Sequence, residues 1–207
     1  MATFSVCTYN VHTFYDGEGK PTYQDIMKLL AQMKPDVLCL QESTTHCLNK
    51  LQADLQYKHK FYKNRGVAIF SNYEMEEVQY LVKGNRTRGL TVKLTLDPAL
   101  EPLYLTALHL DHRVEPNRMK EIKNIEKCLE NVFAEEGCQI WTGDFNCLTR
   151  EDYDDKTWGD IARVRRENSW EPPRTAVSEE MTRLGFTDCW ASVGRPGPVS
   201  TCRSGHS

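Results

Sequence analysis

The chain has 207 residues, 40% hydrophobic and 27% charged, with a formal net charge of −3. This is enough for one domain with a real core, and it excludes a disordered chain. No apolar run approaches the roughly 18–20 residues of a membrane span, and the near-neutral charge leaves any polyanion site to a local patch. Residues 1–10 lack a basic stretch followed by an apolar core, so no secretory signal is read and an intracellular location, cytoplasmic or nuclear, is expected. Eight spread-out cysteines without a CxxC pair fit reduced thiols, several of them acting as small core residues.

Phe4–Asn10 alternates as a strand does and then loosens into a loop from His12 to Lys20. Thr22, a suitable N-cap, opens a helix with apolar residues at Ile26, Leu29, Leu30 and Met33, broken at Pro35-Asp36. Val37–Leu40 is a short continuous apolar run, the pattern of a strand buried on both faces, and it ends in Gln41-Glu42. A helix through Leu48, Leu51 and Leu55 follows, then a second buried strand, Val67–Phe70. Leu90–Leu96 alternates cleanly and predicts a half-exposed strand. Leu103–His109 is another strand, and Pro116 starts a helix with Met119, Ile122, Ile125, Leu129 and Val132 on its apolar face. Gln139–Trp141 is a short strand running into Gly143-Asp144-Phe145-Asn146. Leu148–Pro173 reads as a long polar loop with one helical turn, and Val177–Leu184 as a short helix stopped by Gly185. Strands of both kinds mixed with helices predict a layered α/β sandwich around mixed sheets. No glycine-rich phosphate loop of either common type is present.

The chemical signal lies at the strand ends. Four strands finish in an amide, carboxylate or imidazole: Asn10, Glu42, His109 and the pair Asp144/Asn146. Rigid strand ends are where a site is built with accuracy. Glu42 and Asp144 offer oxygen ligands to a hard cation such as Mg²⁺, which takes one or two carboxylates and keeps its waters. Asn10 and Asn146 can hold a phosphate oxygen or a water without adding charge, and His109 can donate to a phosphate. Taken singly, each ending is equally an Asx turn or a solvated terminus; four in one small domain point to a metal-dependent hydrolase.

Thr8-Tyr9-Asn10-Val11, Leu40-Gln41-Glu42, Leu108-His109-Leu110 and Gly143-Asp144-Phe145-Asn146 occur in the order and spacing of the endonuclease/exonuclease/phosphatase superfamily, the deoxyribonuclease-I-like group, which the chain resembles from Thr3 to about Arg203. The resemblance implies a four-layer α-β-β-α sandwich with two mixed β-sheets in a single domain over residues 1–207. It implies a Mg²⁺-dependent hydrolase of phosphodiester or phosphomonoester bonds, with Mn²⁺ as a substitute. Glu42 would be the principal metal ligand, with Asn10 beside both metal and phosphate. His109 would steady the scissile phosphate or assist the leaving group, Asp144 would position or deprotonate the attacking water, and Asn146 would orient the phosphate.

Two departures stand out. His12 takes the place of an aspartate common in the family's DNA-repair nucleases, which argues against an abasic-site endonuclease. After Thr201-Cys202-Arg203 the family's Arg-Ile-Asp-Tyr-like strand and final Ser-Asp-His are not found, and Ser204-Gly205-His206-Ser207 only echoes them. The expectation is a fold incomplete after about residue 203, lacking its final strand or strands and catalytically impaired as it stands. Lys83, Arg86, Arg88 and Lys93 form a positive run that is either a phosphate contact or a solvated strand edge. Arg88 and Arg113 are taken as substrate contacts, although Arg113, like Arg118, can equally pair with Asp111 or Glu115. Trp158 and Trp170 are either a substrate-facing lid or loop anchors. The substrate expected is a phosphoester, with nucleic acid one candidate. The alternatives are a lipid head group or inositol phosphate, or a binding and regulatory role without turnover.

Overall fold

The structure, a computed structural model, describes residues 4–63, 65–83, 86–133 and 137–194. The C-terminal segment expected to depart from the family, including Arg203 and His206, lies outside the described residues. The chain forms two compact units, Met1–Leu110 with Glu121–Phe145, and Asp111–Lys120 with Asn146–Ser207.

The first unit holds eight strands: β1 (Val6–Asn10), β2 (Val37–Ser43), β3 (His59–Tyr62), β4 (Arg65–Ser71), β5 (Glu74–Lys83), β6 (Arg86–Thr95), β7 (Leu103–His109) and β8 (Cys138–Asp144). Its helices are α1 (Tyr23–Met33), α2 (Thr45–Leu55), the C-terminal part of α3 (Glu115–Cys128), and α4 (Glu130–Phe133). The strands form one mixed, hydrogen-bonded path, β1-β2-β4-β6-β7-β8, with β3 on β4 and β5 on β6. The resemblance implied two sheets; here the halves are joined through a parallel link of two residue pairs, Arg65↔Arg86 and Gly66↔Thr87. Gly66 permits that link: its φ is +120°, and a Cβ there would lie 3.3 Å from Thr87 N and closer still to Thr87 O.

Side-chain alternation divides the core. Val37, Cys39, Val67 and Ile69 pack against Leu90, Val92, Leu94, Leu103, Leu105 and Ala107 of the other strand half. The intervening residues Leu38, Leu40, Ala68 and Phe70 face Ile26, Met27 and Leu30 of α1 and Leu48 and Leu51 of α2. A strand with apolar side chains on both faces needs a layer on each side, and the continuous run Val37–Leu40 has both. On the far half, the side chains of Ile125 in α3 and Leu108 close over Gly89. Burial pushes the Cys39 thiol far above its usual range. None of the seven described cysteines forms a disulfide.

Four sequence expectations change. The α1 stripe is Ile26, Met27 and Leu30, while Leu29 and Met33 are 44% and 54% exposed. The strand expected to be half-exposed, now β6, is buried on both faces, with Thr91 and Thr106 sharing a 2.9 Å hydroxyl hydrogen bond. The sequence pattern shows neither β3, four residues long, nor β5, which opens on the acidic stretch Glu74-Met75-Glu76-Glu77. In the second unit, the supposed long loop contains α5 (Asp155–Glu167), 13 residues. This helix buries no residue fully: its short apolar face, Trp158, Ile161 and Ala162, is half-buried and set among charged residues that mask it. Local terms hold it: Asp154 caps Thr157 N at 2.7 Å, and Arg163 pairs with Glu167 and Asp160. Trp158 sits inside it, beneath Arg150 and against Tyr153, as an anchor would. The unit continues with α6 (Ala176–Arg183), ended by Gly185 as predicted, and α7 (Cys189–Ser192). Carboxylates cap the helix starts: Glu171 accepts from Glu115 N at 2.7 Å, and Glu115 accepts from Ala176 N at 3.0 Å.

Leu38→Ala should lower unfolding stability by about 2–5 kcal/mol in urea titration, because both strand neighbours prevent collapse around the void. The Thr157 backbone N–H holds the Asp154 carboxyl below its usual range. A lowered folded value stabilises α5 above the ordinary carboxylate range and is lost as pH falls through it. Asp154→Ala should therefore reduce helicity by circular dichroism at pH 7, and the difference from the native chain should shrink as pH falls below the ordinary carboxylate range.

Candidate active site

The two parallel strand pairs end together. In β1–β2 the register sets Asn10 opposite Gln41, and in β7–β8 it sets His109 opposite Asp144. The Asn10 amide spans the gap between the pairs. Its Nδ2 donates to Glu42 Oε1 at 3.1 Å and to Asp144 Oδ2 at 2.9 Å. Its Oδ1 accepts from His12 N at 3.0 Å, which fixes the orientation of the amide. His109 Nε2 stands 3.7 Å from the same Glu42 oxygen.

Local backbone geometry aims each group. The β2–β4 register shifts between Leu40 and Ser43, and Glu42 within that bulge has a left-handed φ of 56°. Gln41 beside it is buried, and its Nε2 donates to Thr8 Oγ1 at 3.1 Å and Cys39 O at 3.3 Å. Gln41 is thus a strut for the bulge, which its place in an otherwise apolar run could have signalled. After Asn10 the chain turns through three left-handed residues, His12, Thr13 and Phe14, with φ of 43°, 56° and 64°. Phe14 is 2% exposed and packs in the helix-side core, holding the turn that offers His12 N–H to Asn10. Gly143 brings β8 against β7 with φ +132°. A Cβ there would lie 2.7 Å from Leu108 N and closer still to Leu108 O. Past it, Leu110 N donates to Asp144 O at 2.9 Å.

Asn10, Glu42, His109 and Asp144 are therefore brought together. Arg88, expected at the substrate, is 8% exposed and donates from Nη1 to the His109 carbonyl at 3.2 Å. Its guanidinium faces Glu121 of α3. Lys83 reaches the same carboxylate at 3.4 Å, so two of the four cations in the positive run face one buried acid. Asn146 and Arg113 belong to the second unit. Asn146 has a left-handed φ of 49°, and Arg113, an exposed residue, donates its backbone N–H to Asp111 Oδ1 at 2.9 Å. Asp111 accepts from Val114 N as well, an Asx-type turn, and Arg118 bonds Asp111 O and Glu171.

Among the described residues no group of three or more His, Cys, Asp and Glu has the geometry to hold a metal ion. A cation that keeps most of its waters needs fewer protein ligands. Glu42 fits that demand: its side chain is 29% exposed, no Lys or Arg pairs with it, and Oε2 makes no hydrogen bond among the described residues.

The sequence profile of the Endonuclease/Exonuclease/phosphatase family matches residues 7–198. The chain belongs to that family. No curated protein sequence matches the chain. Solved structures of similar fold include the mannosyl-6-phosphatase Bt3783 of Bacteroides thetaiotaomicron, at 16% identity and TM-score 0.58, covering 71% of this chain and 67% of that one. ANGEL2, a 2′,3′-cyclic phosphatase solved with adenosine-2′,3′-vanadate, gives 18% identity and TM-score 0.57, over 71% of this chain and 54% of its own. Truncated TDP2 of Caenorhabditis elegans gives 20% and 0.55, over 73% and 65%. The eight-stranded mixed α/β architecture is thus the fold of the endonuclease/exonuclease/phosphatase family.

Gly143→Ala should cost about 2–3 kcal/mol in urea unfolding, since the backbone approach at Leu108 has no room for a methyl group. Gly159→Ala, in α5 with nothing within 4 Å of the new methyl, should instead gain about 0.5–1 kcal/mol.

Proposed function

We propose that the chain carries the active site of a Mg²⁺-dependent phosphoesterase acting on phosphodiesters. One observation carries this reading: a single amide on β1 holds two carboxylates from β2 and β8, with an imidazole from β7 against one of them. Two carboxylates kept this close repel each other unless a donor or cation lies between them.

In this reading Glu42, through its exposed oxygen, is the residue that holds Mg²⁺, or Mn²⁺ in its place, and Asn10 borders both cation and phosphate. When bound, the cation polarises the phosphate and neutralises the charge developing on its oxygens. Asp144 orients the attacking water and takes its proton as the water oxygen bonds to phosphorus. The bond from phosphorus to the leaving oxygen breaks, and that oxygen departs with the electron pair. His109 donates to a non-bridging phosphate oxygen and steadies the phosphate in line.

Glu42→Gln should abolish any rise in melting temperature produced by Mn²⁺ or Mg²⁺. Asp144→Asn should preserve the fold and lower turnover by about 10²–10⁴-fold. The assay panel should hold a dinucleotide, a 2′,3′-cyclic nucleotide, a sugar 6-phosphate, an inositol phosphate and a phosphocholine diester. Turnover in Glu42→Gln equal to that of the native chain would overturn the proposal.

A further inference from the structure

Behind the four site residues lies a buried ion pair. Arg88 and Glu121 have side chains 9% and 6% exposed, with Arg88 Nε 3.8 Å from Glu121 Oε1. That separation is too long for a hydrogen bond, and Arg88 Nε has no hydrogen-bond partner among the described residues. A buried pair of this kind is a poor source of stability compared with apolar packing of the same volume. What Arg88 does make is a 3.2 Å hydrogen bond from Nη1 to the carbonyl of His109. A donor bearing full charge makes the stronger kind of hydrogen bond.

The bond falls at a particular peptide. Gly89 is opposite Leu108 across the antiparallel β6–β7 pair, which brings Arg88 to the strand end where His109 leaves the ladder. The peptide joining His109 to Leu110 has its carbonyl bound by Arg88 and its N–H bound to Asp144 O at 2.9 Å. With both sides of one peptide plane held, rotation about it is blocked. The Cα–Cβ direction of His109 and the main chain of Asp144 are then fixed by the same plane. Glu121 in turn keeps the guanidinium facing this carbonyl, and Lys83, 53% exposed, adds a second cation to that carboxylate at 3.4 Å.

We infer that Arg88 and Glu121 are a positioning pair for His109, acting through the His109–Leu110 peptide. The inference rests on the proposed role of His109, yet it concerns the ring's placement, which is measurable without turnover. In it Arg88 leaves substrate contact and becomes a support for the residue that makes it.

The test is the ring signal of His109 in the ¹H–¹³C spectrum of the metal-free chain at one fixed pH, assigned by its loss in His109→Gln. Arg88→Gln and Glu121→Gln should both shift and broaden that signal, whereas Arg163→Gln on exposed α5 should leave it unchanged. Arg88→Lys keeps the charge and should restore part of the native signal. With a phosphodiester that the native chain cleaves, Glu121→Gln should lower kcat about 10-fold or more while KM stays within about twofold. Should Arg88→Gln fail to fold, Glu121→Gln and Arg88→Lys decide the matter. A native His109 signal in variants that melt cooperatively would overturn the inference. If Glu42→Gln leaves cation binding intact while the His109 signal moves in the pair variants, the metal reading falls and the positioning pair stands.

Discussion

One amide group holds the candidate site together. Glu42 and Asp144 come from strands far apart in the chain, and both place a carboxylate oxygen within hydrogen-bond distance of Asn10 Nδ2. At such range two anions repel by several kcal/mol where water is partly excluded. The two N–H bonds of a single nitrogen answer both at once, and they can do so only if the amide's oxygen faces away. That requirement explains the unusual turn after β1. Three left-handed residues bring His12 N–H to Asn10 Oδ1, so that the nitrogen faces the acids. An aspartate at position 10 would add a third negative charge, and an alanine would leave the pair unbridged.

The core transmits this constraint from the strands' other faces. Because side chains alternate, a one-residue slip of β2 would send Val37 and Cys39 toward the helices and Leu38 and Leu40 between the strand halves. It would also rotate the segment bearing Glu42. The different occupants of the two clusters resist such a slip, since each is packed against a partner of fitting volume. On the other side of the site the parallel register of β7 and β8 sets His109 opposite Asp144. Gly143 lets the two backbones approach closely enough to keep it. The site is thus an outcome of strand registration together with the turn after β1.

Much of this was legible in sequence, for a definite reason. Val37–Leu40 and Val67–Phe70 are apolar at every position, so burial on both faces follows directly, and the polar residue ending each strand stands out against them. Asn10, Glu42, His109 and Asp144 were found by that contrast. The bulge at Glu42 was not legible, because no glycine marks its left-handed backbone. The Arg88–Glu121 pair escaped for a related reason. Arg88 stands in a run of cations that points to phosphate or solvent, nothing local marks Glu121, and only tertiary packing joins them. Helix α5 was hidden because its apolar face is short, Trp158, Ile161 and Ala162 standing among the charged residues of its cap and ion pairs. In the second unit Arg118 does bond Asp111, but at the backbone carbonyl, while the Asp111 carboxylate closes its own turn.

The left-handed residues also say where the fold tolerates unfavourable energy. A non-glycine residue in that region costs about 1–2 kcal/mol, and His12, Thr13, Phe14 and Glu42 all lie within four residues of Asn10 or inside the β2 bulge. Strain of this size persists only where packing over-determines the backbone. Phe14, inserted in the core and tilted against Tyr23 with ring centroids 5.2 Å apart, supplies such packing for the turn. Burying a phenylalanine side chain contributes about 1.5–3 kcal/mol, enough to offset one or two of these residues but not all four. The remainder rests on hydrogen bonds: His12 N–H to Asn10 and Asn10 to both carboxylates, with Gln41 to Thr8 bracing the β2 bulge. A network held this way is stiff before any ligand arrives. If the proposed phosphate and cation bind, they meet groups whose orientation is already set, which lowers the cost of ordering them.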